Sequence, residues 1–154
     1  MRPVRRALTR GVINDMKTRI IVVGIIVNEK GEVLLLKMPP DRGIYPGQWG
    51  VVGGGLEEGE TLEEALAREV KEEVGLVVKR CERTIYFDEV RSKAFPDGHV
   101  EEIYMIYHLY HCECVGQVQL NEEWETFVWV SKNKLSSYDL NSATRYTFTQ
   151  NGWL

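Results

Sequence analysis

The order of apolar and polar positions predicts most of the elements. Ile20–Val27 is apolar and largely β-branched, interrupted only by Gly24, and predicts a buried strand. Asn28, Glu29, Lys30 and Gly31 read as a turn, with Val33–Lys37 the returning strand of a hairpin. The run PPDRGIYPG, Pro39 to Gly47, predicts a loop, and Trp49–Val52 a short strand running into Gly53, Gly54 and Gly55. From Thr61 to Val74 the period becomes helical: Leu62, Leu66, Val70 and Val74 recur every fourth residue as one apolar stripe. Thr61 and Glu64 form a capping box, and Gly75 supplies the stop. Leu76–Phe95 leans to β structure, and Pro96, Asp97 and Gly98 make a turn. In the strand Val100–Cys114, Ile103, Met105, Tyr107 and Leu109 alternate with Tyr104, Ile106, His108 and Tyr110. A strand over Thr126–Val130 and a helix over Asn141–Gln150 complete the chain. Mixed strands with helices for either face predict an α/β fold, an α/β/α sandwich around a mixed β-sheet.

Composition narrows the class. With 154 residues, 44% hydrophobic and 27% charged, the chain suits one domain with its own core. No apolar run approaches the ~20 residues that span a bilayer, so no membrane partner is expected. The net charge of −4 is unevenly placed. Arg2, Arg5, Arg6, Arg10, Lys17 and Arg19 face only Asp15 in the first 19 residues, whereas the remainder holds 13 basic and 22 acidic residues. An acidic body is a poor partner for nucleic acid and suits a protein that meets anions through a divalent cation. The basic start followed by Ile20–Val27 has the order of a signal peptide, but no small-residue cleavage site follows. Met16 reads as a native start, residues 1–15 as an N-terminal extension, and residues 16–154 as the domain. Cys81, Cys112 and Cys114 are expected to be free thiols of a reducing, cytoplasmic compartment. With His111 they lack the spacing of a zinc site. Neither a P-loop nor a His-Glu-x-x-His helix occurs.

The helix over 61–74 carries the candidate chemistry. Glu69, Glu72 and Glu73 stand at i, i+3 and i+4, so all three project from one side, beside the apolar stripe. Like charges at that spacing repel, and hard oxygen donors in a cluster are what Mg²⁺ or Mn²⁺ takes. On this geometry alone a solvated acidic face, compensated by Arg68, Lys71 and Arg80, stays open.

The surrounding spacing is far more specific. Gly54 is followed by five residues and Glu60, then by seven residues and Arg68-Glu69-Val70-Lys71-Glu72-Glu73-Val74-Gly75-Leu76. Seven fixed residue types at these positions coincide by chance in fewer than about one in 10⁶ such chains. This stretch resembles the Nudix box in every defining position. The likeness extends outside the box, through DRGIYPGQW, DGHVEEIYMIYHLYHC and YDLNSATR, to a nucleoside triphosphatase subfamily.

That resemblance implies a Nudix hydrolase that splits nucleoside triphosphates into monophosphate and pyrophosphate, with a leaning toward pyrimidine deoxynucleotides (dUTP, dTTP, dCTP). It implies Mg²⁺, with Mn²⁺ as a substitute, held by Glu69, Glu72, Glu73 and the Gly54 carbonyl. Arg68 is expected to position a neighbouring carboxylate, with Glu60 its partner, so Glu60, Arg68, Glu69, Glu72 and Glu73 form the candidate catalytic set. The general base stays open between Glu69 and the loop residues Glu122 and Glu123, which are also candidate extra ligands. Lys37, Arg42, Arg91, Lys93 and Arg145 are candidate phosphate contacts, and Tyr45, Phe95 and Asn141 candidate base contacts. A monomer or homodimer is compatible with the chain. Two alternatives remain: a Nudix hydrolase of a nucleotide sugar or dinucleotide polyphosphate, and a non-catalytic nucleotide sensor. The retained carboxylates argue against the sensor.

Overall fold

The structure is a computed structural model that describes residues 16–154; the extension expected over residues 1–15 lies outside the described residues. In chain order its elements are strands β1 (Lys17–Ile26), β2 (Glu32–Lys37), β3 (Trp49–Gly50) and β4 (Val52–Gly55), helix α1 (Leu62–Val74), and strands β5 (Val77–Ala94), β6 (Val100–Val115) and β7 (Thr126–Ser131). A 3-10 turn over Lys132–Ser137 and helix α2 (Ser142–Gln150) follow.

The strands form two sheets. One has the order β4-β1-β6-β5 and is mixed, because β1 runs parallel to β6 while β4 and β5 pair antiparallel. The other is antiparallel, in the order β3-β2-β7. This corrects the expected β1–β2 hairpin. The turn exists, with Asn28 N donating to Glu32 O at 3.0 Å, but apart from a single bridge between Val27 and Val33 the two strands join different sheets. The strand expected over Trp49–Val52 is likewise divided. Trp49 and Gly50 pair with β2, whereas Val52–Gly55 pair with β1, so the segment passes from one sheet to the other at Val51.

Alternation along β1 supplies both faces of its sheet. Val22 and Ile26 join Ala65, Leu66, Val70 and Val74 of α1, all buried. Ile21 and Ile25 face the opposite side, in the clusters to which α2 contributes Ala143 and Phe148. The helices therefore cover opposite faces. Truncating a fully buried side chain such as Leu66 to Ala would cost roughly 2–5 kcal/mol.

Local chemistry sets the limits of α1. Thr61 Oγ1 accepts from Glu64 N at 3.1 Å, Glu64 Oε1 accepts from Thr61 N at 3.4 Å, and Gly75 ends the helix in the left-handed region at φ 71°. The chain then returns to this helix end: Gln119 N donates to Val74 O at 2.8 Å and Asn121 N to Glu73 O at 3.1 Å. These bonds hold the 119–124 loop beside the helix carboxylates. The three cysteines are free; Cys112 is buried and burial pushes its thiol well up, while Cys114 is pushed up to about 11.

Candidate active site

The last two turns of α1 face the β4 glycines, and their spacing puts three carboxylates at that junction. Glu69 lies against Gly54 so closely that a Cβ on Gly54 would collide with its carboxyl group. Arg68 organises the cluster. Its Nε and Nη2 donate to the two oxygens of Glu60 at 2.7 and 2.9 Å, a two-point contact. Its Nη1 reaches Glu69 Oε1 at 2.9 Å and Glu72 Oε2 at 3.2 Å, and Nη2 also donates to the Gly55 carbonyl at 3.0 Å. The hydrogen bonds from Arg68 hold the Glu60 carboxyl below its ordinary range, and Glu60 in turn keeps Arg68 firmly protonated.

Glu73 is different in kind. It is 1% exposed, Oε1 accepts from Trp124 Nε1 at 2.7 Å, and Oε2 is buried with no partner. Burial, then Glu69 and then Glu123, pushes its carboxyl well above the ordinary range. A buried carboxylate oxygen without a donor costs stability unless a cation satisfies it. Among the described residues no three acidic, histidine or cysteine side chains converge as a ready-made metal cage, because Arg68 draws Glu69 and Glu72 to itself. The donor set nevertheless fits a hard divalent cation: carboxylate oxygens of Glu69, Glu72 and Glu73, the Gly54 carbonyl, and one buried oxygen left without a partner.

Beside this cluster opens a cavity of about 330 Å³. Glu69, Glu123, Trp124 and the β4 glycines form one end, and Arg19 and Lys93 supply cations. Ile21, Phe87, Met105, Leu109 and Ala143 make an apolar interior, with Tyr45, Tyr107 and Asn141 as polar points. Arg19 crosses Gly55, where any Cβ would meet its guanidinium. Lys93 is held below its ordinary range, first by partial burial and then by Arg19. Partial burial and Glu69 push Glu123 up.

The structure gathers only part of the set expected from sequence. Lys37 instead pairs with Glu125 at 3.5 Å. Arg42 donates to the Glu122 carbonyl at 2.6 Å, so Arg42 and Glu122 brace the loop, and neither lines the cavity. Arg91 lies 4.9 Å over the Tyr45 ring, outside the cavity wall. Arg145 is on the exposed side of α2, and Phe95 stacks on His99 with centroids 4.2 Å apart. Tyr45, Lys93, Glu123 and Asn141 do line the cavity. Asn141 is also the cap of α2, its Oδ1 accepting from Thr144 N at 2.8 Å. Sequence reasoning passed over Arg19, Trp124 and Glu89. Glu89 had a legible signal, an acid in phase with buried Phe87 two residues earlier; Trp124 had none.

The pattern that frames this junction is a family property. A family model for the NUDIX domain matches residues 17–151. The chain belongs to the Nudix family. The nucleoside triphosphatase NudI of Enterobacter sp. (strain 638) is 47% identical over 142 residues, covering 90% of this chain and 100% of that protein. NudI of Escherichia coli (strain K12) is 45% identical over the same coverage. Among solved structures, the MutT protein from Methanosarcina mazei Go1 superposes with a TM-score of 0.72 at 28% identity, over 89% of this chain and 94% of that one. MutT Nudix hydrolase from Burkholderia pseudomallei gives 0.70 at 25% identity, over 87% and 98%. The Nudix box thus lies on β4, the following loop and α1, which together form the acidic end of the cavity.

Proposed function

We propose that the protein is a Mg²⁺-dependent nucleoside triphosphate pyrophosphohydrolase. The observation that carries this reading is one cavity whose acidic end holds Glu69 next to buried, half-satisfied Glu73, while Arg19 and Lys93 supply cations and the interior is apolar. Such a cavity suits a polyanion with a flat, apolar head group. The likeness to NudI nucleoside triphosphatases supports the same class.

Glu69, Glu72, Glu73 and the Gly54 carbonyl would hold the metal, which supplies charge neutralisation on phosphate and lowers the pKa of water. Arg68, fixed by Glu60, orients Glu69 and Glu72. Trp124 orients Glu73. Arg19 and Lys93 bind phosphate oxygens. Glu69 or Glu123, both on the cavity wall, takes the proton from the attacking water. Water adds to the β phosphorus, the α–β anhydride bond breaks, and the nucleoside monophosphate leaves with the bridging oxygen. The finer part of the proposal is a preference for pyrimidine deoxynucleotides, which rests on the resemblance outside the box, in a cytoplasmic enzyme, which the free cysteines support.

The test is pyrophosphate release from all ribo- and deoxynucleoside triphosphates, with Mg²⁺, with Mn²⁺ and with EDTA, alongside nucleotide sugars and dinucleotide polyphosphates. Metal-dependent release led by dUTP, dTTP or dCTP is the expected result. Turnover confined to a sugar or dinucleotide substrate would replace the substrate assignment. No turnover of any substrate would favour a sensor.

A further inference from the structure

Behind the cavity wall lies a carboxylate with no part in the metal chemistry. Glu89 is 5% exposed and sits on β5, two residues after Phe87 on the same inward phase. Among the described residues no cation pairs with it; its partners are hydroxyls. Tyr45 Oη donates to Oε1, Tyr107 Oη lies 3.1 Å from the same oxygen, and Ser142 Oγ donates to Oε2 at 3.3 Å. Tyr45 Oη and Tyr107 Oη are 2.7 Å apart. Three elements therefore meet on one buried acid: the 39–47 loop, β6 and the first residue of α2.

The proton count decides what this cluster can offer a ligand. Two tyrosine hydroxyls carry two protons, and three oxygen–oxygen contacts compete for them. Met105 Sδ, 3.4 Å from Tyr107 Oη, is a further weak internal acceptor. A carboxylate accepts only, so every proton in the cluster is directed inward. Burial, reinforced by Glu89, pushes both hydroxyls well above their ordinary range, so they keep those protons. Tyr45 and Tyr107 line the cavity, whereas Glu89 and Ser142 do not. The hydroxyl protons are therefore committed within the cluster.

We infer that Glu89 is a specificity-determining residue: by drawing the hydroxyl protons of Tyr45 and Tyr107 inward, it makes this wall of the cavity an acceptor-only surface, which favours a nucleobase that points an N–H at it. The inference rests on the nucleotide reading above and deepens it. The N3–H of uracil and thymine is the donor of matching chemistry. Thymine or uracil stripped of that N–H would lose the bond, and a site built to hydrogen-bond one partner rejects the analogue that lacks it.

The test compares dTTP with 3-methyl-dTTP, in which that N–H is removed, in the wild-type protein and in Glu89→Gln. Glutamine keeps the shape but brings its own donor, which releases a tyrosine proton toward the cavity. The wild type is expected to prefer dTTP through KM. In Glu89→Gln the preference should shrink by about tenfold or more, with KM for dTTP rising and kcat changing far less. Tyr45→Phe is the second variant. It deletes one acceptor oxygen while Tyr107 and Ser142 still satisfy Glu89, and it should shrink the same preference. An unchanged preference in both variants, or an equal fall in kcat on both nucleotides with KM constant, would overturn the inference. Wild-type turnover of the panel separates the two readings: without it the nucleotide proposal falls, and with it but no change in preference only the role of Glu89 does.

Discussion

Trp124 donates its indole N–H to one oxygen of Glu73 at 2.7 Å and leaves the other buried without a partner. The two residues are 51 positions apart and meet because backbone bonds from Gln119 and Asn121 return the loop to the end of α1. The indole fixes the direction of the carboxyl group and leaves the other oxygen as the one a cation would satisfy.

Glu73→Gln should therefore lower pyrophosphate release by a hundredfold or more, about 3 kcal/mol in activation energy. Its fold should be as stable as the wild type without metal, because a buried, half-satisfied acid becomes a neutral amide. Turnover assays and thermal melts in EDTA measure the two effects independently.

Gly54→Ala separates site geometry from stability. The nearest atoms the new Cβ would meet are the Glu69 carboxyl group, the far end of a side chain that can swing away at little cost to the fold. Activity should fall by about tenfold or more as Glu69 leaves its place, while the melting temperature barely moves. Gly53→Ala is the contrast: its Cβ would lie 2.6 Å from the Val22 carbonyl, backbone that cannot yield, so the fold itself should weaken.

Arg68→Lys keeps the charge and loses the fork. One ammonium cannot reproduce the two-point contact with Glu60 together with bonds to Glu69, Glu72 and the Gly55 carbonyl. A fall in kcat of roughly tenfold or more is expected, accompanied by weaker Mn²⁺ binding in a spectroscopic titration.

Lys93 sets an alkaline dependence. Its folded pKa is lowered by burial and Arg19, so raising pH removes its proton before it would in the unfolded chain. Between the two values the unfolded state binds more protons, and stability rises with pH. Phosphate binding runs the other way, and KM should climb as the ammonium is lost. Lys93→Met should flatten the KM profile over that range, as initial rates across pH would record.

Much of the site was legible because it is local. The 3.6-residue period places Glu69, Glu72 and Glu73 together beside Leu66, Val70 and Val74 whatever the helix packs against, and Thr61 and Gly75 mark its ends from side-chain and backbone chemistry alone. The apolar run Ile20–Val27 likewise marked a buried strand, and the alternation in β6 separated Ile103, Met105, Tyr107 and Leu109, all buried, from the other face.

The cation assignments depended on distance through space. Lys37, Arg42, Arg91 and Arg145 look as eligible in sequence as Arg19 and Lys93, yet only the last two reach the cavity. Strand register makes that choice: β1 beside β4 carries Arg19 over Gly55, and β5 carries Lys93 to the cavity and Arg91 to the Tyr45 ring. The division of β1 and β2 between two sheets is of the same kind, since a turn dictates reversal of the chain and not which strand each arm will pair with. The sequence by itself determined the helix, its carboxylate cluster and the Nudix box, through periodicity and spacing over a few turns. The tertiary structure alone decided which distant cations, which indole and which buried acid complete the cavity, because those contacts join residues dozens of positions apart and arise only once the strands have found their partners.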